Sequence, residues 1–209
     1  MNEILSGRPR DFVDLAEYIP SIETEVRYYS ENNFTGAPVS GYRAPLILLT
    51  DQAASALKKA QESILPLGYT LRVYDGYRPH RADEHFKKWG ELPETGETKA
   101  KHYPMCSRQE IFEQGYLKVP SDNSRGSAVD LTVVDRKTGR PLDMGSTFDY
   151  FEEISENSFE DLTPEQGKNR MMLKYLMMSC GFKPFKKAWW HYTLRHEPYP
   201  NTYFDFEIC

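Results

Sequence analysis

The sequence predicts a mixed α+β domain, and three kinds of observation predict it. Two segments, 50–65 and 163–181, carry full helix signals: a capping residue, a periodic apolar face and a glycine or proline stop. Runs rich in β-branched and aromatic residues at 70–74, 128–134 and 182–194 read as strands. A Lys-Thr-Gly turn at 137–139, inside D-R-K-T-G-R-P-L-D, reads as a hairpin between two strands.

A chain of 209 residues is the size of one domain and can bury a real core, so 1–209 is read as a single unit. The net charge of −5, with no block of Lys and Arg, argues against a nucleic-acid footprint. The N-terminal stretch has scattered acidic residues and no apolar h-region, so no secretory signal is expected. No apolar run approaches the length of a membrane span, so no membrane partner is expected either. Cys106, Cys180 and Cys209 are odd in number and far apart, which fits a reduced cytoplasm and incidental thiols.

Taken in order, residues 11–29 mix acids and aromatics without a helical period, and Asn32, Asn33 and Gly36 form a loop. Thr50 caps a helix with Asp51 in its first turn and Ala53, Ala54, Leu57, Ala60 and Ile64 on its apolar face. It stops before Pro66 and Gly68 and reads as a packing helix. The strand Thr70–Tyr74 then runs into D-G-Y-R-P-H-R-A-D-E-H-F, where Arg78 stands between the strand end and a helix opened by Pro79. An arginine there serves as a surface charge, an ion pair, or a functional group presented by a rigid scaffold. His80 and His85 are expected to face solvent. The stretch from Trp89 to Val119, broken by Pro93, Gly96, Pro104 and Gly115, reads as irregular and too long for a simple connection. It is expected to cover a site, with Glu94, Glu97, Glu110 and Glu113 solvated.

The chemistry concentrates in two runs. P-S-D-N-S-R-G-S-A-V-D-L-T-V-V, from Pro120 to Val134, passes from a polar turn into a strand and places Asp130 near the strand's start. Carboxylates are depleted inside strands, so Asp130 needs a reason. In A-W-W-H-Y, His191 lies among bulky strand formers; taken alone it is a satisfied core histidine, and paired with Asp130 it is a candidate metal ligand. Asp149, in D-M-G-S-T-F-D-Y-F, reads as a helix or loop cap. Thr163 caps the last helix, Pro164 takes its first position, Gln166 completes a capping box and Gly181 ends it. Met172, Leu173, Leu176, Met177 and Cys180 form its core stripe. Phe182–Leu194 reads as one strand, and the aromatic tail is expected to pack back over the fold.

The S-R-G-S-A-V-D-L-T run followed far downstream by W-W-H-Y resembles the VanX-type D-alanyl-D-alanine dipeptidases, zinc peptidases related to D,D-carboxypeptidases and the hedgehog signalling domain. The family pattern is S-x-H-x-x-G-x-A-x-D and E-x-x-H, in which His, Asp and His hold zinc and Glu is the base. Asp130 and His191 match two ligands, while Asn123 stands at the first ligand and Ala188 at the base. An amide is a poor zinc ligand beside imidazole, and alanine moves no proton.

The resemblance covers nearly the whole chain and implies a central, mostly antiparallel sheet with flanking helices. It implies D-Ala-D-Ala as substrate, Arg78 as the group that steadies the oxyanion, and Tyr28, Ser121 and Asp149 as substrate contacts, with Tyr28 on an entry strand. Tyr28 also reads as an edge-strand aromatic over the core. One zinc per chain belongs to an intact site and is expected to be weakened or absent here; were it retained, His102 and His196 are the first residues to complete it. Three readings compete: a zinc dipeptidase in inactivated form, a non-enzyme that binds a D-amino-acid dipeptide, and a cell-wall D,D-carboxypeptidase.

Overall fold

The computed structural model describes residues 3–94 and 96–209. Met1 and Asn2 of the N-terminal stretch and Thr95 of the covering segment lie outside the described residues. The strands are β1 (Glu3–Leu5), β2 (Phe12–Asp14), β3 (Glu23–Thr24), β4 (Leu48–Thr50) and β5 (Tyr69–Asp75). They continue with β6 (Ala128–Asp135), β7 (Arg140–Pro141), β8 (Phe182–Phe185), β9 (Ala188–Leu194) and β10 (Thr202–Phe204). The helices are α1 (Leu15–Tyr18), α2 (Asp51–Ile64), α3 (His80–Gly90), α4 (Gly96–His102), α5 (Arg108–Glu113) and α6 (Pro164–Ser179).

The main sheet runs β3-β5-β6-β9-β8, with β7 beside β6. Every pairing in it except β3–β5 is antiparallel, so the α+β expectation holds. Two small pairs, β1–β10 and β2–β4, complete the strands. The tail packs back as expected: β10 lies beside β1, and Phe204, Phe206 and Ile208 are buried.

Both predicted helices form for the reasons read from the residues. Thr50 Oγ1 accepts from the Ala53 N–H, and the Thr163–Gln166 capping box is closed in both directions. α2 packs on β5, α6 on β8 and β9, and the two helices touch each other. They bury one face of the sheet. The residues of β6 from Ala128 to Val134 are all buried, because the opposite face is covered too. There the cover is aromatic: Tyr28, Phe34, Phe86 and Phe151 cluster together, and Phe148 stacks on Tyr74 and meets Trp190 edge-on.

Four expectations are corrected. Residues Arg27–Tyr29 form a 3₁₀ turn rather than an entry strand, and Tyr28 is buried on it. The 89–119 stretch contains α4 and α5, the latter opened by a Ser107–Glu110 capping box that the Pro and Gly punctuation obscured. Phe182–Leu194 is a hairpin, not one strand, and turns at Lys186–Lys187, two residues that carry no turn signal. His80 and His85 are half-buried, with His85 Nδ1 taking the Ser40 backbone N–H at 3.1 Å.

Candidate functional site

Three neighbouring strands set the floor of the site. In the β6–β9 register Asp130 is opposite His191, so both side chains leave the same face. A bulge between Val73 and Asp75 passes over Tyr74 and brings Asp75 opposite Asp130 on the other side. Asp75, Asp130 and His191 therefore form one row across the sheet. His191 Nδ1 lies 2.7 Å from Asp130 Oδ1 and donates to it.

Arg78, just beyond β5, reaches over this row. Its Nε and Nη2 both donate to Asp75 Oδ2, at 3.0 and 2.8 Å, and Nη2 lies 3.5 Å from Asp130 Oδ2. Its Nη1 is 3.8 Å from Asp83 Oδ1, on α3. Burial works against the guanidinium's charge, but Tyr28, Asp75 and Asp83 around it hold its pKa above the ordinary value. Three buried carboxylates share one cation, so the floor is acidic. Burial pushes Asp75 and Asp83 above the usual carboxylate range, opposed mainly by Arg78.

The turn that opens the Pro120–Val134 run is pinned to α3. Asp83 Oδ2 accepts the Ser121 N–H at 2.7 Å and the Ser124 hydroxyl at 2.9 Å. Asp122–Arg125 makes a 3₁₀ turn that ends at Gly126, where φ is 78°. A Cβ there would stand 2.3 Å from the Phe12 ring, so glycine is required twice over. This turn places Asn123 beside Asp130. Asn123 Nδ2 donates to the Gly76 carbonyl at 3.0 Å and to Asp130 Oδ2 at 3.3 Å. Both partners only accept, so the amide nitrogen, not its oxygen, faces the row.

Zinc, the metal the resemblance implies, does not fit these residues. Two donors of the right kind are present, Asp130 and His191, and Asn123 turns its NH2 toward them. Among the described residues no group of three or more His, Cys, Asp or Glu could hold a metal. His102 and His196 do not supply the third: His196 is exposed after β9, and His102 is buried with its Nδ1 donating to the Asp149 carbonyl at 2.9 Å. Ala188, at the start of β9, presents only a methyl group to the pocket.

Across the floor sits Asp149, whose carboxylate accepts from the Tyr28 hydroxyl at 2.9 Å. Burial, and then the charge of Asp130, push its carboxyl well above the ordinary range. Tyr28, Arg78, Ser121, Asn123, Asp130, Asp149, Ala188 and His191 all line one pocket, whereas the reserve ligands His102 and His196 do not. Tyr116, Leu117, Lys118, Phe151, Phe185 and Trp190 complete its walls.

Sequence reasoning missed Asp75 and Asp83, and it named His102 only as a reserve metal ligand, not as the residue that holds the Asp149 backbone. The two acids stand within the D-G-Y-R-P-H-R-A-D run but pair with Arg78 only through the bulge and the strand-to-helix turn. His102 carries no motif at all; its role depends on a contact 47 residues away in sequence.

A family model described as D-ala-D-ala dipeptidase matches residues 8–209. D-alanyl-D-alanine dipeptidase from Streptomyces coelicolor is 43% identical over 95% of this chain and 98% of that relative. The enzymes of the same name from Enterococcus faecium and Enterococcus faecalis are 41% and 40% identical, each over 94% of this chain and 98% of its own.

Proposed function

The chain belongs to the D-Ala-D-Ala dipeptidase family, and from that premise we propose that it binds the zwitterionic dipeptide D-Ala-D-Ala but has lost most of the family's hydrolysis. We read 1–209 as one working unit acting in the cytoplasm on a small-molecule partner. One observation carries the loss of turnover: Asn123 and Ala188 stand in the pocket wall beside Asp130 and His191, with the Asn123 amide hydrogen-bonded to Asp130. The surrounding motif is unchanged, so the substitutions remove a strong metal donor and a base while leaving the cavity.

The remaining side chains suit the dipeptide's polar groups. The amine is assigned to Asp149, held by Tyr28, and the peptide carbonyl to Arg78, whose guanidinium donors suit an oxygen acceptor. Ser121, whose backbone is fixed by Asp83, is assigned to a neighbouring oxygen. An ammonium about 4 Å from a carboxylate gains about 4 kcal/mol at an effective dielectric of ~20, before desolvation is subtracted. That is consistent with weak, measurable affinity without a metal.

Titration calorimetry with D-Ala-D-Ala, L-Ala-L-Ala as control, and chromatographic detection of released D-Ala test this reading. The expected result is binding of the D,D isomer, little of the L,L isomer and no turnover near that of a family member with His and Glu at the two positions. Equal binding of both isomers, or of neither, overturns the pocket assignment; rapid release of D-Ala overturns the loss of hydrolysis.

A further inference from the structure

We infer that Lys118, at the rim of the pocket, receives the C-terminal carboxylate of the ligand and so fixes the direction in which a zwitterionic dipeptide enters. The inference rests on the dipeptide reading above and adds a residue that the motif resemblance does not assign.

Most of the pocket's charges are already committed. Of its cationic candidates, Arg78 is tied to Asp75 and flanked by Asp83 and Asp130, and His191 is held by Asp130. The floor therefore carries more acid than base, which suits an ammonium and repels a carboxylate. Asp122, the remaining acid of the lining, is paired with Arg125 at 3.0 Å and accepts from Thr193 Oγ1 at 3.3 Å.

Lys118 differs from these groups. It is exposed, and among the described residues no carboxylate lies within 4 Å of its ammonium in a salt bridge. Its Nζ rests 4.5 Å from the centroid of the Phe185 ring, which in turn meets His191 edge-on at 5.5 Å. The ring is half-buried, and an exposed cation over it is held weakly enough to exchange that contact for an ion pair. Its mounting is fixed: Tyr116 and Leu117 are buried, and their N–H groups both donate to the Ile111 carbonyl. Three residues later the Ser121 N–H is locked to Asp83. A flexible four-carbon stem thus leaves a rigid rim beside the pocket. Asp149 is buried on the floor and Lys118 is exposed at the mouth, so the site has an acidic deep end and a basic outer end. A free dipeptide matches that polarity with its amine inward; a peptide without a free carboxylate leaves the lysine without its partner.

The test compares D-Ala-D-Ala with its C-terminal amide, D-Ala-D-Ala-NH2, by calorimetry on the parent and on Lys118→Gln, Lys118→Arg and Asp149→Asn. The parent is expected to prefer the free acid. Lys118→Gln should weaken binding of the acid roughly fivefold, as for a solvent-exposed ion pair, leave the amide unchanged, and be rescued by Lys118→Arg. The same loss should persist in an Asp122→Asn background; its disappearance there would mean that Lys118 merely offsets Asp122 and overturns the inference. An unchanged acid-to-amide preference in Lys118→Gln, in a protein whose D-Ala-D-Ala binding is abolished by Asp149→Asn, overturns this inference alone. Absence of binding to the parent overturns it together with the reading beneath it.

Discussion

The imidazole of His102 and the backbone of Asp149 hold each other: His102 Nδ1 donates to the Asp149 carbonyl at 2.9 Å, and two residues on the Phe151 N–H returns to the His102 carbonyl at 2.7 Å. Asp149 needs such a clamp, because its φ of 57° lies in the left-handed region that non-glycine residues seldom occupy. The clamp aims the carboxylate at Tyr28 and into the pocket. His102→Phe should therefore weaken D-Ala-D-Ala binding several-fold while the Lys118-dependent preference for acid over amide survives. Calorimetry with both ligands checks this, and unchanged affinity would show that Asp149 keeps its aim unaided.

His102 also makes stability depend on pH. Burial lowers its pKa to about 4, against the bond to Asp149, with Lys101 and Arg27 adding to the lowering. An unfolded histidine takes up its proton near pH 6.5, whereas the folded one refuses it until about 4. Between those values the unfolded chain binds more protons, so this contribution destabilises the fold as pH falls, by at most about 3 kcal/mol. Urea unfolding of the parent and His102→Asn at pH 7 and 4.5 should show the parent losing more stability on acidification. Comparing the two cancels the opposite effect of the buried carboxyls whose pKa values are raised.

Ligand binding should release a proton. Asp149 is held toward its neutral form by burial and by Asp130, and an arriving ammonium favours the ionised form. Affinity is then expected to fall as pH drops below neutrality. Calorimetric enthalpies in phosphate and Tris should differ by the buffers' ionisation enthalpies, in the sense of up to about one proton released. A buffer-independent enthalpy would mean that Asp149 is already ionised or does not meet the amine.

Zinc should bind weakly and not survive chelator. The paired change Asn123→His with Ala188→Glu should restore zinc content and D-Ala-D-Ala hydrolysis together, and either change alone should not, since a general base contributes ~10²- to 10⁴-fold. Metal analysis and D-Ala release measured on the three variants check this. Stoichiometric zinc in the parent would show that another donor completes the site.

Gly126→Ala should cost roughly 2–4 kcal/mol, from the positive φ and from a Cβ driven into Phe12. Because the turn also positions Asn123, dipeptide binding should weaken along with the fall in urea midpoint. An unchanged midpoint would mean that Phe12 moves aside freely.

The features legible in the residues alone were local or carried by contiguous motif text. The caps at Thr50 and Thr163, the turn at Gly139 and the strand through Asp130 follow from propensity and hydrogen-bonding chemistry within a few residues. The motifs around Arg78, Asp130 and His191 named the pocket's residues because family resemblance preserves spacing. Tertiary structure alone decided the rest. The bulge that turns Asp75 toward Asp130 depends on pairing between strands about 55 residues apart, the turn at Lys186–Lys187 on the register of β8 against β9, and the clamp of His102 on Asp149 on a contact between the end of α4 and a loop 47 residues further on. The same holds for the orientation of the Asn123 amide: the sequence names the residue, but only the two acceptors facing it, Gly76 and Asp130, turn its NH2 to the place where a metal ligand's lone pair would be needed.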